Sequence, residues 1–289
     1  MEGFFMHMMT RLWMDFFKDE TARDHWWARK RKLMQERGAE IVRINGKGQV
    51  FHKVKYDDQE NYHYLLHLSF LMNQEDYFYI EETVIPYQFQ IRNGKIIEHE
   101  EVEHQLDTRQ DFLTFTEHDG VNHQGQERFT YDRLAAVKYA ELWWNRYNPD
   151  YKAFDVDCTN YVSQCLRAGG APMHGMPNQS KGWWYQGEKW SLSWAVAHSL
   201  RWYLSGSTKG LRGREVESPT DLYPGDVICY DFQGDGRWDH NTIVVAKDAH
   251  GMPLVNAHTD NSRHRYWSYE DSTAWTPEIK YKFFQIGMV

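Results

Sequence analysis

Residues 155–170 read DVDCTNYVSQCLRAGG. Two aspartates, a mixed run and a closing glycine pair predict a helix from Cys158 to about Arg167, capped by Asp155 or Asp157 and stopped by Gly169 and Gly170. Cys158, Tyr161, Val162, Cys165 and Leu166 recur at helical spacing, so Cys158 lies on the stripe that faces a core. It also lies in the first turn. Unpaired N–H groups and the positive end of the dipole gather there, where they stabilise a thiolate and offer an amide to an oxyanion. Cys158 is therefore either a nucleophile or core packing, and a nearby base decides between them.

The base candidate is His240, which heads the β-rich run DHNTIVVAKD, residues 239–248. The runs DVICYDF, HNTIVVAKD, PLVNAHT and KYKFFQI each predict a strand, and a turn at 248–251 places His258 or Thr259 across from His240. Asn256 and His258 share a strand face, and either one is suited to hydrogen-bond the imidazole and fix its tautomer. Cys165 and Cys229 read as core. Three cysteines without a CxxC pair disfavour zinc fingers and disulfide-stapled folds.

The rest of this half begins with TYDRLAAVKYAELWWNRYN, residues 130–148, a helix capped by Thr130 with Asp132 in its first turn. SWAVAHSLRWYL predicts another, capped by Ser193 and ending near Gly206. The Trp-rich stretch 178–190 between them is irregular. Trp183, Trp184, Trp190 and Trp194 are suited either to walling a groove for peptides or sugars or to plain core packing.

Upstream, apolar residues at helical spacing between about residues 4 and 37 predict one or two amphipathic helices ending at Gly38. From Ala39 to about Gln105 the period becomes that of an antiparallel meander, with Asn45-Gly46 and Asn93-Gly94 as hairpin turns. By analogy this part resembles a helix across a curved sheet of nuclear-transport-factor or cystatin type, a binding or dimerisation module. The polar stretch 118–129 sets a boundary between a 1–125 domain and a 126–289 domain.

A formal charge of −8 without a basic block argues against nucleic acid as partner. The N-terminus lacks a basic region and a cleavage site, so a cytoplasmic location is expected unless a leader has been removed. No apolar run is long enough for a membrane span.

DCTNYVSQCLRAGG, SLSWAVAHSLRWYL, DLYPGDVICYDFQGDGRWDHNTIVV and NAHTDN, in that order, resemble blocks of the bacterial putative amidase domain family, within the papain-like clan of NlpC- and CHAP-type peptidases. The resemblance covers roughly residues 131–289. It implies an α+β fold with a helix-borne cysteine packed on an antiparallel sheet, needing no cofactor. It implies Cys158 as nucleophile, His240 as base, and His258 or Asn256 as orienting group. Tyr147 and Asn148 are the upstream polar matches near an oxyanion, and the substrate is a peptide or amide, a cell-wall stem peptide among them. The competing function is a non-catalytic peptide- or glycan-binding module on the same frame. A metal hydrolase built from His240, His258 and Asp239 or Asp260 lacks helical ligand spacing. DFQGDGRWD departs from a calcium loop at Gln233 and Thr242 and reads as a surface turn.

Overall fold

The computed structural model describes residues 2–19, 25–102 and 129–287. Helices α1 (Glu2–Lys18) and α2 (Trp26–Glu36) precede the strands β1 (Glu40–Tyr56), β2 (Gln59–Gln74), β3 (Tyr77–Arg92) and β4 (Lys95–Glu101). Helices α3 (Arg133–Trp143) and α4 (Cys158–Ala168) follow, then a two-residue hairpin, β5 (Tyr185–Gln186) and β6 (Lys189–Trp190). Next come α5 (Leu192–Ala195), α6 (Ala197–Gly206), β7 (Gly213–Val216), β8 (Val227–Asp231), β9 (His240–Lys247), β10 (Pro253–Ala257), β11 (Asn261–Tyr266) and β12 (Lys280–Ile286). The class is α+β with a mainly antiparallel sheet. The boundary expected at 125/126 lies outside the described residues.

One sheet carries both halves, in the order β1-β2-β3-β11-β10-β9-β8-β12-β7, with β4 also on β3. β3 divides one edge between two partners: β4 covers Tyr87–Arg92, and β11 joins at Glu82, Thr83 and Val84. β11 was not expected, because NSRHRY has neither the apolar alternation nor the β-branched residues that mark a strand. It is the seam between the halves.

Alternation along β8 and β9 splits the C-terminal core. Val227, Cys229, Ile243 and Val245 face α3, α4 and α6, while Ile228, Tyr230 and Val244 face the opposite layer with Val255, Tyr269 and Phe283. The N-terminal core sets Met9, Trp13, Trp27 and Leu33 of α1 and α2 against Tyr64, Leu66, Leu68 and Phe70 of β2. Amphipathic helices lie on a sheet there, as their periodicity predicts.

Several local expectations need correcting. Asn45-Gly46 makes no turn: β1 runs unbroken along β2, with Gly46 opposite Leu68, and the chain reverses at Asp57-Asp58, where Asp57 has φ 51°. Asn93-Gly94 does turn, with φ 50° and 74°, the left-handed pair a two-residue hairpin requires. Asp132, not Thr130, caps α3, its carboxylate accepting the Ala135 N–H at 2.9 Å. The helix expected from Ser193 is two, because Val196 is extended; α5 starts after Ser191, and the Ser193 hydroxyl donates to the Gly182 carbonyl.

Buried charges tie α2 to the far end of the chain. Lys30 Nζ lies 2.5 Å from Glu81 on β3 and 3.2 Å from Asp271, which also pairs with Arg265 at 2.9 Å. Arg37, just past α2, bonds Asp248 at 3.0 Å and lies 3.8 Å over the Tyr266 ring. Removing one member of such a set strands its partners without water. Lys30→Met is expected to cost about 3–5 kcal/mol in urea unfolding. The quadruple variant with Glu81, Asp271 and Arg265 also made apolar should recover most of that loss.

Candidate functional site

Helix α4 is buried on every side. All residues from Cys158 to Leu166 are inaccessible, so its apolar stripe is only part of what it buries. The reason lies in its polar members, each of which has a partner. Asn160 Oδ1 accepts from Trp194 Nε1 at 2.8 Å, Ser163 Oγ accepts from Trp183 Nε1 at 3.0 Å, and Thr159 Oγ1 donates to Asn241 Oδ1 at 2.8 Å. Polar groups paired in this way can leave water at modest cost.

The start of α4 is organised by Asp157. Its side chain does not cap the helix. One carboxylate oxygen instead accepts from the Phe154 N–H and from Asn160 Nδ2, at 3.0 and 2.8 Å. The other lies 2.7 Å from His258 Nδ1. His258 Nε2 lies 2.7 Å from the Trp143 carbonyl, and the ring stacks on Tyr161 at 4.1 Å. One imidazole nitrogen thus faces a carboxylate and the other a backbone carbonyl. His258 thus locks α3, β10 and the head of α4 together.

Cys158 points from this helix head at β9. Its sulfur meets the backbone N–H of Asn241 and lies 3.7 Å from the Thr159 hydroxyl. Asn241 follows His240, so the thiol rests against the peptide that joins them. The thiol is 2% exposed, and burial pushes its pKa above the usual value, against the lowering by the Asn241 and Thr159 hydrogen bonds. A helix N-terminus is worth about 0.3–1 kcal/mol, less than one pKa unit, whereas full burial moves a group by up to about 3–5 units. Desolvation wins, so the surroundings of Cys158 disfavour the thiolate that a first-turn position alone would favour.

His240 sits among Tyr230, Phe232 and Tyr269, with Nε2 3.2 Å from the Tyr269 hydroxyl. Burial, and secondarily the Arg265 charge, pull its pKa down to about 3, so the ring is neutral. Tyr269 is the orienting contact that the sequence did not reveal. It stands in an irregular segment with φ 58°, and its hydroxyl is also 3.3 Å from Ser262 Oγ. No periodic pattern marks such a residue.

Neither expected orienting group meets His240. His258 is held by Asp157, as above. Asn256 donates to Glu141 Oε1 at 2.9 Å and accepts from the His264 N–H at 2.9 Å. Glu141 is also bonded by Arg263 and His264; these bonds outweigh its burial and hold its carboxyl down to about 2. The reason is register. Asn256 pairs with Ile243, on the helix side of the sheet, whereas His240 alternates to the other side with Thr242 and Val244.

The remaining candidates divide. Tyr147 lies edge-on to His258 at 5.0 Å, beside the α4 head, while Asn148 donates to the Tyr139 hydroxyl at 2.8 Å and is committed elsewhere. Trp183, Trp184 and Trp194 are fully buried and wall no groove. Trp190 is half-buried, edge-on to Phe154 at 4.9 Å and under Lys152 Nζ at 4.9 Å. Among the described residues no three His, Cys, Asp or Glu side chains gather as a metal site. Asp239 and Asp231 instead brace the 231–239 turn, accepting from the backbone of Phe232, Asp235 and Gly236. Cys165 and Cys229 are core, as read from the sequence.

The family model described as a putative amidase domain matches residues 130–284. A Bacillus subtilis (strain 168) protein, uncharacterized protein YhbB, is 46% identical over 263 residues, covering 89% of this chain and 85% of its own. Uncharacterized protein YjcM of the same strain is 33% identical over 143 residues, 45% of this chain and 31% of its own. No solved structure matches.

Removing the His258 ring leaves Asp157 buried and short of a partner. His258→Ala is expected to cost about 3 kcal/mol in chemical unfolding, whereas Tyr147→Phe, which keeps the ring contact, should cost under about 1 kcal/mol. Near-equal losses would deny His258 this role. His240 gives a separate signature in acid. Its folded pKa of about 3 lies below the usual 6.5, so its contribution is complete above pH 6.5 and is lost as pH falls toward 3. Thermal melts of His240→Gln should show a shallower loss across that window.

Proposed function

Since the chain belongs to the putative amidase domain family, we propose that it hydrolyses amide bonds through an acyl intermediate on Cys158, with His240 as base and Tyr269 as orienting group. The observation that supports this most is the Cys158 sulfur seated on the Asn241 N–H at a helix N-terminus, against the His240–Asn241 peptide. The frame proposed is papain-like, with the cysteine helix against an antiparallel sheet.

In the tautomer whose Nε2–H donates to Tyr269, Nδ1 is the nitrogen that accepts a proton. A neutral thiol and a neutral imidazole suit proton transfer concerted with attack better than a preformed ion pair. Sulfur bonds to the amide carbon while its proton passes to Nδ1, a transfer that requires the imidazole to turn from the far face of the sheet round the head of β9 to the sulfur. The oxyanion takes backbone N–H groups from the first turn of α4, which the Asp157 side chain leaves uncapped. Nδ1 then protonates the leaving nitrogen as the C–N bond breaks. Water next attacks the thioester, gives its proton to Nδ1, and the carbon–sulfur bond breaks as the thiol is re-protonated. Trp190 and Phe154, half-buried and packed edge to face, are proposed as an aromatic wall for the substrate, and Tyr147 as a group near the oxyanion. A peptide is the substrate class proposed, a cell-wall stem peptide among them. The first 125 residues, resembling a helix over a curved sheet, are proposed as a binding or dimerisation unit.

Burial of the sulfur favours one rival, a binding module that retains the frame without turnover. Acylation separates the two. Intact-mass spectrometry with a p-nitrophenyl acyl ester should give one acyl group on Cys158, none on Cys158→Ala, and at least about 100-fold slower acylation for His240→Ala. Tyr269→Phe should slow it about tenfold. Acylation of Cys158 unchanged by His240→Ala would overturn the proposal. Alkylation of Cys158 by iodoacetamide should keep accelerating above pH 9, because burial raises the thiol pKa. A plateau below that pH would contradict the closed, neutral thiol.

A further inference from the structure

On the face of the N-terminal sheet turned away from α1 and α2, a groove of about 320 Å³ runs across β2, β3 and β4. Register builds it. Asn61, Gln90 and Glu98 stand directly opposite one another on the three strands, and His63, Gln88 and Glu100 form the next row, two residues along. On the other side of Asn61 comes a bordering row of Gln59, Arg92 and Lys95. Alternation gives Tyr62, Tyr64 and Phe89 to the core on the opposite face. The Glu98 and Glu100 carboxylates are matched by Arg92 and Lys95 on their own face, so the groove and its border carry no net charge.

Hydrogen bonds fix which way the carboxamides point. Arg92 donates to Gln59 Oε1 at 2.9 Å, which turns the Gln59 NH2 group toward the next row, where it donates to Asn61 Oδ1 at 3.2 Å and Gln90 Oε1 at 2.5 Å. With both oxygens engaged, Asn61 Nδ2 and Gln90 Nε2 are left as donors. Neither meets an acceptor among the described residues, and both side chains are only half-buried, so these groups keep surface toward the groove. In the second row Gln88 Nε2 donates to Glu100 Oε1 at 2.6 Å, which leaves Gln88 Oε1 and Glu100 Oε2 as acceptors. Donors of one row therefore stand beside acceptors of the next, about 7 Å on along the strands.

A group that accepts and donates at once bridges such rows. An ammonium only donates and a carboxylate only accepts, whereas a hydroxyl does both. Phe51, 59% exposed on β1 with its ring 6.2 Å from that of His63, adds an apolar plate at the margin. We infer that the groove binds a neutral saccharide whose equatorial vicinal hydroxyls accept from Asn61 and Gln90 and donate to Gln88 and Glu100, leaving a C–H face of the ring for Phe51. Its volume is at the small end of ligand pockets, about 300–1,000 Å³, which suits one or two sugar rings. The inference deepens the binding role proposed for the first 125 residues and rests on that role, not on the hydrolase reading.

The test titrates the full chain with cellobiose and follows the side-chain NH2 signals of Asn61 and Gln90 by NMR. Saturable shifts of both are expected, with a Kd of about 1–10 mM. Asn61→Ala and Gln90→Ala should each weaken binding about fivefold, the worth of one neutral hydrogen bond, and together should abolish it. Both are strand positions on an open face, so the melting temperature should stay within about 2 °C. Arg92→Met, which frees Gln59 to flip without touching the sugar, should weaken binding about twofold. Permethylated cellobiose keeps the rings and the acceptors but has no O–H donor, and should not bind. Absence of saturable shifts up to about 50 mM cellobiose would overturn the inference. So would equal binding of the permethylated sugar, binding undiminished in the double variant, or binding of glycylglycine at equal strength, which would mark a peptide site. Cys158→Ala should bind cellobiose unchanged. Failure of Cys158 to acylate would sink the hydrolase proposal and leave these binding results standing.

Discussion

The carboxylate of Asp157 holds the head of α4, and the geometry around Cys158 depends on it. Its two oxygens gather the Phe154 amide, the Asn160 side chain and the His258 ring from three parts of the chain. A carboxylate with so many donors costs little to bury, whereas one stripped of them costs several kcal/mol. The first-turn amides of α4 remain uncapped because the same carboxylate that could have capped them is turned toward His258. One choice of rotamer therefore fixes the helix and leaves the amides at its tip without a side-chain cap.

Burial sets the chemistry on both sides of β9. The thiol is pushed toward its protonated form and the imidazole toward its neutral form. Two neutral groups cost far less to enclose than the ion pair would. Neither group then holds a buried charge that lacks a partner.

Those features that rest on short-range pattern were legible in the sequence. The α4 span, the strands around His240 and the Asn93-Gly94 hairpin follow from spacing, β-branched content and left-handed backbone preference. Tyr269 and β11 were not, because a lone tyrosine in an irregular segment and a polar strand carry no periodic signal. His258 and Asn256 were found as important polar residues and given the wrong partner. Strand register told which face they shared, but not that His240 lay on the other one. Asn45-Gly46 failed for the converse reason: a strong local turn signal lost to fifteen paired residues of β1 along β2.

The β3–β11 seam has a consequence for how the chain assembles. During synthesis the N-terminal strands emerge first, and β3 then presents Glu82–Val84 as a docking edge long before residues 261–263 leave the ribosome. β12 arrives last of all and inserts between β8 and β7, which are both already translated. The sheet therefore closes at two places late in biogenesis, and a nascent polypeptide shorter than about 280 residues carries an incomplete β-scaffold whatever its local order.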